Sequence, residues 1–198
     1  YRIPKLKIGT MAFSPPMLQE ENCEFLRDAE FLQNGGGSTF REEEGRLGWT
    51  LFCQTNLLVD IQNSQIAFCD SLDTLKKEGY VVEGWIKTPL FLERGLVEFK
   101  ANTPTGPLLC ILDTGTTWNI LNAGLTSEKS VDTAVWEPEN PIEYSFFKIE
   151  GLDFGPISFH RMPIRLPIPV EAILGMEFFK THLVFLNFTE KIAYFSNL

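Results

Sequence analysis

The chain has 198 residues, 44% hydrophobic and 13% aromatic with seventeen Phe; that is enough apolar length for one large domain or two small lobes around a packed core, and it excludes an unfolded polypeptide. Twenty-six acidic residues against seventeen basic ones leave a formal net charge of −9, which excludes a nucleic-acid partner, since phosphate recognition needs clustered Lys and Arg. No apolar run reaches the roughly 20 residues of a bilayer-spanning helix, so no transmembrane segment is expected.

The chain opens at Tyr1 without an initiator Met or a signal-peptide pattern, as a processed product or a fragment does. The first helical candidate is CEFLRDAEFLQ, Cys23 to Gln33, with Asn34 and Gly35 as its stop. GGGST, Gly35 to Thr39, lacks the Lys of a phosphate-binding loop, and the helix lies on its wrong side, so it reads as a flexible connector. REEEGR, which follows, reads as a solvated loop. From there the chain is strand-and-turn punctuation: LLVDI, QIAFC, YVVEGWI, GLVEFKA, PLLCIL, FFKIEGLDF and HLVFLNF are short apolar runs separated by Gly, Pro and Asn. Only LDTLKKE and GMEFFKT interrupt them as short helical turns, and the fold class is therefore mainly β.

Cys23, Cys53, Cys69 and Cys110 show no C-x-x-C spacing, and His160 and His182 stand alone in the sequence, so no metal site or other cofactor is expected. Cys110, inside an apolar run, reads as a buried thiol; disulfides cannot be assigned. Asn187-Phe188-Thr189 matches a glycosylation sequon but falls within a strand pattern.

The chain also resembles itself. LKIGTMAFSP from Leu6 lies over FKIEGLDFGP from Phe147 at an offset of 141, RLGWTLF from Arg46 over ILGMEFF from Ile173 at 127, and TNLLVDIQNSQIAF from Thr55 over THLVFLNFTEKIAY from Thr181 at 126. Three blocks in the same order predict a duplication. Residues 1–90 then form the carboxy-terminal half of a first lobe plus a linker, with a helical and Gly-rich insertion at about 16–45, and residues 91–198 form a complete second lobe.

The chemistry-bearing stretch is LLCILDTGTTWNIL, Leu108 to Leu121, where Asp113 ends an apolar run. Gly115 permits backbone angles and a close approach that a Cβ forbids. Thr114 and Thr116 supply hydroxyls that can satisfy the carboxylate or nearby backbone. An Asx turn without chemistry would use the same triplet. The context adds to it: about 60 residues on come Ile173-Leu174-Gly175, a short amphipathic turn and the hairpin HLVFLNFTEKIAYF. In that order, over residues 95–195, the chain resembles a lobe of the pepsin-like and retropepsin-like aspartic proteases.

The resemblance implies closed-barrel β lobes with few short helices, and an aspartic endopeptidase whose water is activated between two aspartates. Asp113 would be one of them, Thr114 the residue locking two catalytic turns together, Gly115 the turn glycine and Thr116 the outer hydroxyl partner of the carboxylate. Ile173, Leu174 and Gly175 would form the strand supporting the catalytic loop. Trp118 would be a core or pocket-wall residue. Trp136 and Tyr144, in the Pro-rich segment WEPENPIEYSF, could edge a cleft for an extended polypeptide substrate.

One aspartate cannot perform this reaction, because one carboxylate must take a proton while another gives one. Shifted back by 141, Asp113 falls before Tyr1, so the repeat places the first catalytic turn in an amino-terminal segment upstream, with Leu47-Gly48 as its support. A homodimer mate, as in retropepsins, is the competing source. The chain alone is then inactive unless completed by a second Asp. A non-catalytic peptide-binding or scaffold protein keeping the same fold is the alternative from another class. The compartment stays open, with a lean to export, periplasmic or extracellular.

Overall fold

The structure is a computed structural model that describes residues 6–8, 11–13, 52–53, 55–92, 95–103, 106–122, 142–144, 148–149, 152–153, 155–162 and 170–196. The helical candidate at Cys23 to Gln33, the glycine run, Leu47-Gly48 and Trp136 lie outside these residues. The chain divides into two compact units, Tyr1–Gln54 and Thr55–Leu198.

In the first unit, β1 (Leu6–Ile8) and β2 (Met11–Phe13) pair as an antiparallel hairpin, with Lys7 opposite Ala12 and Ile8 opposite Met11.

The second unit is mostly strand. In chain order it contains β3 (Leu57–Asp60), β4 (Gln65–Phe68), α1 (Leu72–Lys77), β5 (Ile86–Pro89), β6 (Glu98–Thr103), β7 (Gly106–Leu112), β8 (Ile120–Asn122) and β9 (Ile142–Tyr144). It continues with β10 (Lys148–Ile149), β11 (Leu152–Asp153), β12 (Ile157–Met162), β13 (Ala172–Leu174), α2 (Met176–Phe179), β14 (Val184–Asn187) and β15 (Ile192–Phe195). A mainly β chain with few short helices is what the alternating apolar runs dictate, and among the described residues of this unit the helices fall on LDTLKKE and GMEFFKT. Ser71 starts α1 by accepting from the Thr74 N–H; Asp73 in its first turn and Lys76 and Lys77 in its last complement the helix dipole.

The apolar run at 80–86 behaves differently from expectation. Its β-branched residues suggest a strand, yet Gly84 adopts φ +79° and Trp85 N–H closes a turn on Val82 O at 3.3 Å, so the strand begins only at Ile86. A backbone turn that only glycine makes without strain outweighs side-chain propensity there.

Among the described residues the strands of this unit form two sheets. One runs β4-β3-β14-β15-β5 and carries the core of Leu58, Cys69, Leu75, Val82 and Phe185. The other runs β11-β10-β6-β7-β13-β8-β12-β9, with Phe99, Cys110, Phe159 and Leu174 fully buried. Burial pushes the Cys110 thiol far up, in keeping with an inert core residue. Asn187 of the sequon is buried and its Oδ1 accepts from Glu190 N–H at 2.9 Å, which leaves a glycan no access.

The self-similar segments adopt matching hairpins. Lys148 faces Asp153 and Ile149 faces Leu152 in β10–β11, the register of β1–β2 displaced by 141. The β3–β4 and β14–β15 hairpins match at 127, not at the 126 that side-chain identity suggests. Asp60 faces Gln65 as Asn187 faces Ile192. Each turn ends on a left-handed residue, Ser64 at φ 54° and Lys191 at φ 56°. Asp60 Oδ1 caps Asn63 N–H as Asn187 Oδ1 caps Glu190 N–H. Shared letters such as Ile66-Ala67 and Ile192-Ala193 favour the shorter shift, whereas hydrogen-bonded turn geometry sets the longer one. At 127, Leu58 lies directly opposite its own counterpart, Phe185.

Candidate active site

Strand β7 delivers Asp113 to the start of a turn. Asp113 N–H still donates to Leu174 O at 3.0 Å, so the residue is tied to β13 although its strand has ended. Its carboxylate is half-buried and both oxygens are engaged: Gly115 N–H donates to Oδ1 at 2.8 Å and Thr116 Oγ1 to Oδ2 at 2.7 Å. Thr116 N–H also closes on Asp113 O at 3.2 Å. A Cβ on Gly115 would sit 3.1 Å from Asp113 Oδ1, so glycine leaves the carboxylate its place. Thr114 and Gly115 are exposed.

The turn is braced from below by β13. This strand lies between β7, which it pairs in parallel with Ile173 opposite Ile111 and Leu174 opposite Leu112, and β8, which it pairs antiparallel with Ile173 opposite Ile120. The loop between β7 and β8 therefore passes over the end of β13, where Gly175 stands. A Cβ there would lie 2.2 Å from Trp118 O and 2.6 Å from Thr116 O. Gly175 N–H donates to Asn119 Oδ1 at 3.0 Å, Met176 N–H to Thr116 O at 2.7 Å and Glu177 N–H to Thr117 O at 3.1 Å. Asp113, Thr114, Gly115 and Thr116 are thus brought together with Ile173, Leu174 and Gly175.

The three aromatic residues named as substrate-binding candidates have separate settings. Trp118 is half-buried and packs on the cluster of Ile111, Ile120, Val170 and Ile173. Tyr144 ends β9, and β12 separates that strand from β8. Trp136 is outside the described residues.

Three polar residues that the motif does not contain also converge. Glu177 Oε2 accepts from Asn119 N–H at 2.9 Å, and Glu177 Oε1 lies 3.2 Å from His160 Nε2. Asn119 Nδ2 donates to Ser158 O at 3.2 Å, and Trp118 sets its ring centroid 5.8 Å from that of His160. His160 and Glu177 are 17 residues apart, and Asn119 and Glu177 are 58 apart. No local spacing signals such a group.

Chemically, a carboxylate fixed by two donors and half-open to solvent can take a proton from water. Among the described residues no other carboxylate hydrogen-bonds to it, no cluster of three or more His, Cys, Asp or Glu could hold a metal ion, and no helix is long and apolar enough to cross a membrane.

No family model matches the chain, and no curated protein matches it. Among solved structures it is similar to a retropepsin-like aspartic protease from Rickettsia conorii, at 20% identity over 57% of this chain and 89% of that one, with a TM-score of 0.37.

Proposed function

We propose that this chain is part of an aspartic endopeptidase, in which Asp113 and a second aspartate activate a water for attack on a peptide bond. The observation that carries this reading is the Asp113 carboxylate itself, held by Gly115 N–H and Thr116 Oγ1 above a strand threaded between the two strands that flank its loop. A turn that only had to reverse the chain would not require such bracing. One carboxylate of the pair takes the water's proton as the oxygen attacks, and the other protonates the carbonyl oxygen. The exposed Thr114 is available to lock against the opposite turn. The substrate is an extended polypeptide, bound through its backbone and through pockets for alternate side chains. Trp118, Trp136 and Tyr144 are candidates for those pocket walls.

The second aspartate comes from an amino-terminal segment ahead of Tyr1, and residues 1–90 and 91–198 belong to successive lobes. The matched hairpins support this, since two-fold-related copies place equivalent residues face to face, as Leu58 and Phe185 are. Strand β14 pairs with β3 of the same chain.

The test uses the polypeptide with its encoded upstream sequence, incubated with an unfolded protein at about pH 4–5, where a carboxylate pair shares one proton. Cleavage blocked by pepstatin and abolished by Asp113→Asn supports the reading. A folded protein that cuts nothing from about pH 3 to 7 yet binds extended peptides would establish the peptide-binding alternative. A solution mass of twice the chain, with activity only in that form, would move the second aspartate to a dimer mate.

A further inference from the structure

The 113–119 loop is held along its length by the segment 174–177. Leu174 O receives Asp113 N–H, Gly175 N–H reaches Asn119 Oδ1, Met176 N–H reaches Thr116 O and Glu177 N–H reaches Thr117 O. These contacts all use backbone atoms of 174–177. The Glu177 side chain adds the last one, its Oε2 accepting from Asn119 N–H at 2.9 Å, at the far end of the loop from Asp113. Its other oxygen, Oε1, is steadied by His160 Nε2 at 3.2 Å, and His160 N–H donates to Asn119 O at 2.8 Å. Asn119 is thus held at its N–H by the Glu177 carboxylate and at its carbonyl by the backbone N–H of His160, the residue whose ring meets that carboxylate. Between the two pinned ends lies Thr116, whose hydroxyl fixes Asp113 Oδ2.

From this geometry we infer that Glu177 is a positioning residue for Asp113: it sets the span of the loop and, through Thr116, the aim of the carboxylate. The kinetic half of this inference rests on the aspartic endopeptidase reading, whereas the structural half does not. The Glu177 side chain is 36% exposed and that of His160 only 14%. A charge-assisted bond at a partly exposed site adds little to global stability because solvent screens it. Its contribution is geometric: a carboxylate accepts from a backbone N–H and an imidazole at once, which neither a methyl group nor a hydroxyl of shorter reach can do. Glutamine keeps the acceptor for Asn119 N–H while losing the charge, so it separates the two roles.

The experiment compares wild type, Glu177→Ala and Glu177→Gln in the polypeptide with its upstream sequence. The carbon-13 carboxyl resonance of Asp113, assigned by its disappearance in Asp113→Asn, reports the aim of the carboxylate without reference to activity. The expected result is a shifted Asp113 resonance in Glu177→Ala, and a kcat lower by about 10- to 100-fold with KM within about twofold, the scale for a small misplacement of a reacting group. The midpoint of thermal unfolding should stay close to wild type, and Glu177→Gln should restore the resonance and most of the rate. An unchanged resonance in Glu177→Ala overturns the inference, as does a rate loss that tracks loss of folded protein, or equal impairment of both variants. If the wild type cuts nothing, the endopeptidase reading fails, and the resonance alone still decides whether Glu177 positions Asp113.

Discussion

Replacing Gly175 with alanine isolates what the braced loop costs to disturb. The backbone there, φ −95° and ψ −163°, is ordinary extended chain that alanine adopts freely. By itself the change would stabilise the fold by about 0.4–1 kcal/mol, by reducing the freedom of the unfolded chain. The added methyl group instead meets Trp118 O at 2.2 Å, Thr116 O at 2.6 Å and Trp118 C at 2.8 Å, all backbone atoms. Carbon and oxygen approach comfortably to about 3.3 Å, so the loop must move by roughly 1 Å. Overpacking of this kind costs about 1–3 kcal/mol. Loosening the 2.7 Å bond from Met176 N–H to Thr116 O adds about 0.5–1.5 kcal/mol. The centre of these ranges is a net destabilisation of about 2 kcal/mol. Urea unfolding followed by Trp fluorescence reads this directly, since a slope of about 2 kcal/mol/M converts it to a midpoint lower by about 1 M. The proposed cleavage should fall further than stability alone explains, because the moved atoms carry Thr116 and hence Asp113. A midpoint within about 0.3 M of wild type would refute the close approach of loop and strand.

Other outcomes follow from buried groups. His182 stacks on Phe178 with centroids 4.4 Å apart, and burial lowers its pKa below the ordinary 6.5, the bond to Phe178 O offsetting this only in part. The unfolded state then binds the extra proton first, so stability is full above about pH 6.5 and declines as pH falls toward the lowered folded value; His182→Phe should flatten that decline in unfolding midpoints measured from about pH 7 to 5. The Cys69 thiol is pushed up to about 11, first by burial and then by the Asp70 charge. At pH 8 its thiolate fraction is about 10⁻³, so alkylation of the native protein should leave Cys69 unmodified by peptide mass mapping while urea exposes it; equal labelling in both states would contradict its packing. Phe185→Ala, which empties a fully buried site opposite Leu58, should cost about 3–5 kcal/mol in urea unfolding.

Features whose causes are local could be read from sequence. The short helix on LDTLKKE is legible because its causes are local, and the structure adds the cap that starts it, Ser71 accepting from the Thr74 N–H three residues on. The Asp113 turn is legible for the same reason, since the carboxylate is satisfied by Gly115 and Thr116. At 80–85 the letters mislead, because a positive φ at Gly84 outweighs the β-favouring Tyr80, Val81, Val82 and Trp85. The one-residue error in the hairpin offset has a related origin: identities count side chains, but the turn is set by Asp60 and Asn187 capping the backbone three residues on. Glu177, Asn119 and His160 could not have been grouped at all. They sit on a helix, a loop end and a strand that the insertion of β13 between β7 and β8 and the pairing of β12 with β8 bring together.

That insertion also orders events in time. With β13 absent, β7 and β8 lack the strand that joins them, and Asp113 loses its tie to Leu174. The partners of the turn emerge from the ribosome some 60 residues later, a delay of about 3–12 s at ordinary synthesis rates. Contacts at this separation also carry the loop-closure entropy that makes non-local strand pairing slow. A nascent chain therefore passes through a stage in which Asp113 has been made but its bracing has not. The local bonds of Gly115 and Thr116 to the carboxylate need no later residue, whereas the bracing of the whole turn is added only once residues 172–177 have been made.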